Sequence, residues 1–142
     1  MRQSTKEIGK FGEDLAEKYL KKRFWHILSR NYLARGGEID IIACRFGVLA
    51  FFEVKTRTND LFGRPRDAVD GEKIKNIRFV AKNFLNTYCD GGKVKVNYPF
   101  GLQKETKIRK KRIDVIEVYL SDCGTSYKIN HIKDWENRYE LH

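Results

Sequence analysis

The chain has 142 residues, 41% of them hydrophobic and 13% aromatic, so we expect one domain over residues 1–142 with a true apolar core. Lys and Arg outnumber Asp and Glu by 29 to 19, a net charge of +10, which favours nucleic acid over a membrane surface as partner. No run approaches the roughly 20 apolar residues of a membrane span, and residues 1–10 lack an apolar signal segment, so we expect a cytoplasmic protein.

The first segment has the pattern of an amphipathic helix from Lys6 to about Lys22. Its apolar residues recur at spacings of three and four and are expected to face the core: Ile8, Phe11, Leu15 and Tyr19. Small residues share one flank of that stripe: Gly9, Gly12 and Ala16. This flank would let another backbone come close, and Glu13 borders it.

The next segments favour strands. Residues 25–28 form a short apolar run, and residues 31–37, with a double glycine, read as a loop. Two β-rich runs, 38–44 and 48–55, surround Phe46-Gly47 and predict a hairpin. A two-residue loop there would place Arg45 opposite Val48 and Asp40 opposite Glu53.

The second half repeats the helix and strand pattern. Residues 59–70 read as a loop, followed by a helix from Asp70 or Gly71 to about Tyr88. The core stripe of that helix is expected to be Ile74, Ile77, Ala81, Phe84 and Tyr88. Strands are predicted at 93–98 and 113–120, with a polar loop over 99–112 and a short strand from Tyr127. This order predicts an α/β fold with a central mixed β-sheet flanked by α-helices.

Acidic residues in the apolar hairpin strands need a reason, because a carboxylate is costly to desolvate unless it is paired or binds a cation. Asp40 and Glu53 on adjacent strands offer oxygen ligands for Mg²⁺ or Mn²⁺, with the Val54 backbone carbonyl as a further ligand. Lys55 would then assist a metal-bound water. The alternative is a solvent-exposed face on which Glu38 and Lys55 form an ordinary ion pair.

Several ordered blocks resemble one bacterial family. They are Gly9-x-x-Gly12-Glu13-x-x-Ala16-x-x-Tyr19-Leu20, Ile27-Leu28-x-Arg30-Asn31, Gly37-Glu38-Ile39-Asp40-Ile41-Ile42-Ala43, Phe52-Glu53-Val54-Lys55-x-Arg57, Phe62-Gly63-x-Pro65-x-Asp67-Ala68-Val69 and Arg112-Ile113-Asp114-Val115-Ile116. Together they are similar to the YraN family, also called UPF0102. That family is similar to archaeal Holliday-junction resolvases and belongs to the restriction-endonuclease-like superfamily.

The resemblance implies a restriction-endonuclease-like fold and a metal-dependent nuclease site. Asp40, Glu53 and Lys55 fall on the superfamily pattern of an acid, a gap, then Glu or Asp, any residue and Lys. Glu13 matches a helix acid that can contribute to the metal site in resolvase-like members, although a solvent-facing carboxylate is the alternative. Glu38 is interpreted as structural or as a support to the ligands. Asp67 stands where Glu is more usual in the family.

The basic residues suggest how nucleic acid would be held. Arg30, Arg35, Arg57, Arg64 and Arg66 flank the predicted site, and Lys73 either touches phosphate or is a solvated helix lysine. The run Lys107, Arg109, Lys110 and Lys111 would be a flexible arm against phosphate, or else a solvated loop. No base-reading motif is present, so we expect recognition of shape or backbone.

Other chemistries are disfavoured. The sequence lacks GxxxxGK[ST] and GxSxG motifs, and we interpret His26, His131 and His142 as incidental. Cys44, Cys89 and Cys123 fit neither a disulfide framework nor zinc and are expected to be reduced, buried thiols.

The sequence therefore predicts a metal-dependent nuclease for structured or branched DNA, with DNA favoured over RNA. The alternatives are a non-catalytic nucleic-acid-binding module and an adaptor of a DNA-processing complex. The sequence leaves open whether a homodimer is needed to cut two strands.

Overall fold

The computed structural model describes residues 4–58, 71–121 and 125–136. Within them lie two helices, α1 (Thr5–Lys22) and α2 (Gly71–Tyr88). The strands are β1 (His26–Ala34), β2 (Gly37–Arg45), β3 (Val48–Arg57), β4 (Cys89–Asp90), β5 (Lys93–Asn97), β6 (Gln103–Lys107), β7 (Lys110–Leu120) and β8 (Tyr127–Ile132). Neither described helix combines the length and apolarity needed to cross a membrane.

The main sheet has the order β1-β2-β3-β7-β8. β3 and β7 are parallel, whereas the other neighbours are antiparallel. A smaller antiparallel sheet contains β4, β5 and β6. One core cluster joins Leu49 and Phe51 of β3 to α2, and the other joins Ala50 and Phe52 to α1. Because alternate strand residues point to opposite faces, the helices cover opposite faces of the main sheet, which confirms the predicted α/β fold with a mixed sheet.

The buried face of helix α1 is shifted from the predicted stripe, of which Ile8, Leu15 and Tyr19 are partly buried against the same core cluster. Its buried residues are Gly12, Ala16 and Leu20, while Phe11 of the expected apolar stripe is 39% exposed. The small flank is the reason. A Cβ atom at Gly12 would lie 1.8 Å from Thr56 Oγ1, so only glycine lets the helix approach β3 this closely, and this packing decides where Glu13 points.

Strand β1 is longer than the short run predicted at residues 25–28 and forms a hairpin with β2. β1 continues to Ala34 through most of the expected loop and pairs with β2 from His26 opposite Cys44 to Ala34 opposite Gly37. The turn needs only the residues around Gly36, whose φ of 103° favours glycine. Most of the rest of the expected loop becomes strand because β2 pairs with it from Tyr32 to Ala34.

The second hairpin has the predicted register over its outer part. Arg45 faces Val48, and pairing continues to Ile41 opposite Phe52. Phe46 and Gly47 both have positive φ, at 50° and 79°, as a two-residue type I′ turn requires.

The predicted loop over residues 99–112 is wrong. It contains a 3₁₀ turn at Pro99–Gly101, all of β6 and the start of β7. Residues 110–112 pair in parallel with residues 48–50 of β3. The basic run therefore belongs largely to sheet structure and is not a flexible arm, because the hydrogen bonds offered by β3 outweigh the polarity of its side chains.

The second helix and the remaining strands agree closely with the prediction. Ile74, Ile77, Ala81 and Phe84 of α2 are buried, but Tyr88 is 56% exposed and the buried Val80 belongs to the core face in its place. In β5, Val94 and Val96 are buried between exposed polar neighbours, as expected. β8 begins at Tyr127 as predicted.

A buried carboxylate connects β7 to β8. Asp114 is fully buried and contacts His131 Nε2 at 2.7 Å, Arg112 Nε at 3.0 Å and the Asp134 N–H at 2.9 Å. Burial by itself would raise the pKa of Asp114, but these hydrogen bonds and the Arg112 charge bring it below the ordinary value of 3.8. His131 is thus structural and not incidental, because it satisfies a buried charge.

Cys44 is buried and Cys89 is partly buried, and both thiols are free. Residues 59–70, with Arg64, Arg66 and Asp67, lie outside the described residues, as do Cys123 and His142.

Candidate active site

Charged side chains from four elements meet where β2 and β3 stop pairing. α1 contributes Glu13, β2 contributes Glu38 and Asp40, β3 contributes Glu53 and Lys55, and α2 contributes Lys73. Asp40, Glu53, Lys55 and Glu13, the four residues expected from the sequence to do chemistry, thus belong to one constellation.

Asp40 lies at the point where the β2–β3 pairing ends. The last paired residues are Ile41 and Phe52, so Asp40 and Glu53 are not the registered pair that the sequence predicted. Instead, Asp40 Oδ2 accepts a hydrogen bond from the Val54 N–H at 2.8 Å. The carboxylate replaces a backbone acceptor here, and Asp40 lies close enough to Glu53 for the two carboxylates to interact electrostatically.

Glu13 and Glu38 bring two further carboxylates to Asp40. One ligand oxygen from each of the three residues lies within 4.8 Å of the other two. Asn31 connects them: with Nδ2 facing the acids, it donates to Glu13 Oε1 at 2.6 Å and to Glu38 Oε1 at 2.9 Å. Glu13 is therefore not a carboxylate that simply faces solvent.

Glu53 is the most buried acid of the constellation, with 4% of its surface exposed. Its Oε1 lies 3.5 Å from Lys73 Nζ and 3.8 Å from Lys55 Nζ. The alternative of a solvent-exposed charged face fails for Glu53, and Lys55 lies beside Glu53 and not in an ordinary pair with Glu38. Lys73 reaches the same carboxylate, so it lies within the site.

The electrostatics of the site favour an added cation. Burial, followed by the negative charge of Asp40, raises the pKa of both Glu13 and Glu53 to about 7. Burial also raises the pKa of Asp40, against the opposing hydrogen bond from the Val54 N–H and the charge of Lys73. Neighbouring carboxylates that resist ionisation gain most from a bound ion, and an all-oxygen donor set fits Mg²⁺ or Mn²⁺.

The basic residues predicted around the site are distributed differently. Arg57 is 7% exposed and its Nε lies 2.9 Å from Glu117, so it joins β3 to β7 and is not available to a phosphate. Arg30 holds α1 against β1 through Asp14 at 3.2 Å and Glu17 at 3.5 Å.

The run from Lys107 to Lys111 lies toward the other end of the main sheet, since Lys110 pairs with Val48. Glu53 follows Val48 by five residue steps along β3, about 17 Å at the usual strand rise. Lys107, Arg109, Lys110 and Lys111 therefore do not surround the carboxylates.

The sequence did not predict a role for Asn31. It predicted only a structural or supporting role for Glu38, which lies with Glu13 and Asp40 in the carboxylate cluster. Asn31 has a φ of 51°, a left-handed conformation that asparagine tolerates better than most residues. Its position at the start of the predicted loop was the available signal, but nothing in the spacing showed that its amide would connect Glu13 of α1 to Glu38 of β2.

The fold and this site together define an α/β protein with a carboxylate and lysine constellation at the point where two strands of a mixed sheet diverge. Residues 12–118 match the model of a family described as "Uncharacterised protein family UPF0102". The chain belongs to this family, which confirms the resemblance seen in the sequence blocks. The matched residues include all four acids and both lysines of the site.

Relatives extend the match over nearly the whole chain. A UPF0102 protein of Clostridium botulinum (strain Alaska E43 / Type E3) is 43% identical over 134 residues, covering 94% of this chain and 97% of its own. Those of Clostridium beijerinckii and Dictyoglomus thermophilum are 40% and 39% identical, covering 94% of this chain and 96% and 94% of their own.

Proposed function

We propose that this protein is a divalent-metal-dependent nuclease that hydrolyses phosphodiester bonds in structured or branched DNA. The observation that carries the proposal is the adjacent pair Asp40 and Glu53, a partly buried and a buried carboxylate, with Lys55 and Lys73 beside Glu53. Adjacent carboxylates in their ionised form can bind a divalent ion, which offsets their mutual repulsion, and an ammonium group beside them suits a phosphate substrate.

Each residue of the site would have its own role in the reaction. Asp40, Glu53 and the Val54 carbonyl would hold Mg²⁺ or Mn²⁺, which supplies Lewis-acid activation of the scissile phosphate when bound. Lys55 positions the attacking water and balances the charge that builds on the phosphate oxygens. Glu13, oriented by Asn31, completes the carboxylate set. Water adds its oxygen to phosphorus, the bond to the leaving oxygen breaks, and the leaving oxygen takes up a proton.

The charge of the chain supports a nucleic-acid substrate. A net charge of +10 raises the local concentration of a polyanion and speeds its association. The carboxylates would repel phosphate in the absence of a cation, so we expect productive binding at the site itself to depend on the metal.

Cleavage of labelled single-stranded, duplex, flapped and four-way-junction DNA in Mg²⁺ or Mn²⁺ tests the proposal. We expect the wild type to cut at least one branched substrate, and Asp40→Asn or Glu53→Gln to lose at least about 100-fold in rate. Lys55→Met should lose a similar factor while still binding the metal. Glu7→Gln, which changes an exposed carboxylate in the first turn of α1, is the matched control and should cut like the wild type.

Two results would contradict the proposal. Equal cleavage by wild type and Asp40→Asn would assign the activity to another site or to a contaminant. Salt-sensitive DNA binding without any cleavage would instead favour a non-catalytic binding module on the same fold.

A further inference from the structure

A cavity lies toward the other end of the main sheet from the carboxylates. It has a volume of about 760 Å³ and is formed by the residues before β1, the turn between β2 and β3, and strands β5 and β6. Its wall includes aromatic and basic side chains: Phe24, Phe46, Tyr98, Lys104, Lys107 and Arg109. We call it the aromatic pocket.

Two phenylalanines of the aromatic pocket have an unusual combination of properties. Phe24 and Phe46 have φ values of 69° and 50°, a left-handed conformation that is unfavourable for a bulky L-residue. Their rings are nevertheless 72% and 74% exposed, so core packing does not explain their presence. Phe100, in the turn that follows Tyr98, combines a φ of 66° with a fully exposed ring.

The backbone beneath Phe46 is held firmly. The Gly47 carbonyl accepts from the Arg109 N–H at 2.7 Å, and the Arg109 guanidinium donates to the Phe46 carbonyl. A Cβ atom at Gly47 would lie 2.7 Å from Arg109 Nε, so the turn and the segment before β7 fit closely only with glycine. Phe46 is therefore presented to solvent from a fixed position, which lowers the entropic cost of binding a flat partner.

The charges around the rings are mainly positive. Lys104, Lys107 and Arg109 are exposed, and Glu105 is the acidic residue of the wall. The rings of His26 and Tyr98 lie against each other at 4.6 Å between centroids and add a further aromatic surface. Exposed rings beside basic side chains are the combination that binds single-stranded nucleic acid, since bases stack on the rings while cations contact phosphates.

We propose that the aromatic pocket binds an unpaired nucleic-acid strand by stacking its bases on Phe24 and Phe46 and placing its phosphates against Lys104, Lys107 and Arg109. The inference takes nucleic acid as partner from the proposed function and adds the kind of strand recognised. Bases inside a duplex already stack on each other, so their faces are not available to these rings. The pocket thus favours substrates that carry a single-stranded segment.

The separation between pocket and carboxylates, about 17 Å along β3, assigns the pocket to binding and not to chemistry. Its removal should therefore raise KM for a branched substrate and leave kcat nearly unchanged. Binding can also be measured without metal, which separates this inference from the proposed nuclease activity.

The direct test is the anisotropy of a labelled 12-nucleotide single strand in EDTA at fixed salt, for wild type, Phe24→Ala, Phe46→Ala and Phe46→Leu. Each change should weaken binding by about 5- to 100-fold, the usual effect of removing one stacking ring. Phe79→Ala is the matched control, because Phe79 is 57% exposed on α2 outside the pocket. Since these rings are exposed, all variants should melt within a few degrees of the wild type.

An abasic oligonucleotide of the same length shows whether stacking is responsible. It should bind the wild type weakly, and Phe46→Ala should have little further effect on it, because the base and the ring are partners in one contact. Asp40→Asn should bind the normal strand as the wild type does. If the wild type binds the single strand through these rings but cuts no substrate, the nuclease proposal is contradicted and the inference about the aromatic pocket is supported.

Three outcomes would overturn the inference. The first is wild-type affinity in Phe24→Ala and Phe46→Ala. The second is equal weakening by Phe79→Ala or equal weakening on abasic and normal strands, either of which would leave only charge attraction. The third is tighter binding of an acidic peptide or of anionic lipid vesicles than of the single strand, with the same dependence on Phe46, which would assign the pocket to another class of partner.

Discussion

Glu53 is 4% exposed, yet its carboxylate lies beside that of Asp40 and within 4 Å of the ammonium groups of Lys55 and Lys73. Desolvation and the Asp40 charge both oppose its ionisation, so its pKa rises to about 7. The arrangement of Glu53 that suits a bound cation therefore lowers the free energy of unfolding of the metal-free protein.

The pH dependence of that cost follows from the sign of the shift. Between the ordinary value of 4.5 and about 7, the folded protein retains a proton on Glu53 that the unfolded chain releases. Protonated Glu53 therefore makes its full contribution to the free energy of unfolding below pH 4.5, and this contribution is lost as the pH rises through about 7. Above that, the folded chain holds a buried charge.

We predict that Glu53→Gln stabilises the metal-free protein by about 1–2 kcal/mol at pH 8, with a gain that shrinks toward pH 5. Urea unfolding in EDTA at both pH values measures this change. In 5 mM Mn²⁺, roughly 100 times a Kd of about 50 μM, the wild type should gain several degrees in Tm and Glu53→Gln should gain less. A variant that is less stable at pH 8 would show that Glu53 is mainly held by favourable pairs with Lys55 and Lys73.

At the scale of the element, the position of α1 rests on the close contact of Gly12 with Thr56 of β3. The buried face of the helix is formed by Gly12, Ala16 and Leu20. Because consecutive helix residues are rotated by 100°, fixing Gly12 against the sheet also fixes the direction of Glu13. The depth at which α1 packs is therefore coupled to the carboxylate site.

Substitutions at the two glycines of α1 should have opposite effects. Gly12→Ala places a methyl group 1.8 Å from Thr56 Oγ1 and 2.9 Å from Thr56 Cβ, so we expect a loss of about 1–3 kcal/mol in the free energy of unfolding. Gly9→Ala meets no heavy atom within 4 Å and should gain up to about 1 kcal/mol through helix propensity.

Thermal or urea unfolding of both variants checks this pair. Gly12→Ala should also weaken Mn²⁺ binding, because it moves Glu13 away from Asp40, while Gly9→Ala should leave metal binding unchanged. If the two substitutions had equal effects on stability, the approach of α1 to β3 would not be limited by Gly12.

At the scale of the whole molecule, the acidic site and the aromatic pocket lie toward opposite ends of the main sheet. The net charge of +10 attracts polyanions to the chain as a whole, but only cations that contact phosphate release counterions on binding. The salt dependence of affinity therefore distinguishes residues in contact with the strand from those that only add to the general field.

We predict that Lys104→Ala/Lys107→Ala reduces the slope of log affinity against log salt for a single strand by about 1.4, at about 0.7 for each phosphate that is no longer neutralised. Lys75→Ala/Lys82→Ala removes two exposed lysines of α2 and has the same net charge. This control should lower affinity slightly with little change in slope. Equal slopes for the two double variants would mean that Lys104 and Lys107 do not contact the strand.

The sequence by itself determined what depends on local pattern. Periodicity predicted both helices, strands β5 and β8 and the hairpin register from Arg45 opposite Val48 to Ile41 opposite Phe52, because these elements follow from side-chain alternation and turn length. Asp40, Glu53 and Lys55 were grouped correctly, since a strand and its hairpin partner bring such residues to the same place. The family was also evident from the ordered blocks.

Only the tertiary structure decided what depends on contacts between distant segments. It shifted the buried face of α1 onto Gly12 and Ala16 because a small face allows closer packing than the larger apolar stripe, and this brought Glu13 to Asp40. It also converted the basic run at residues 107–112 largely into strand, because β3 had an open edge to pair with β7. Local periodicity predicts neither how closely a helix packs against a sheet nor which strand becomes a parallel partner.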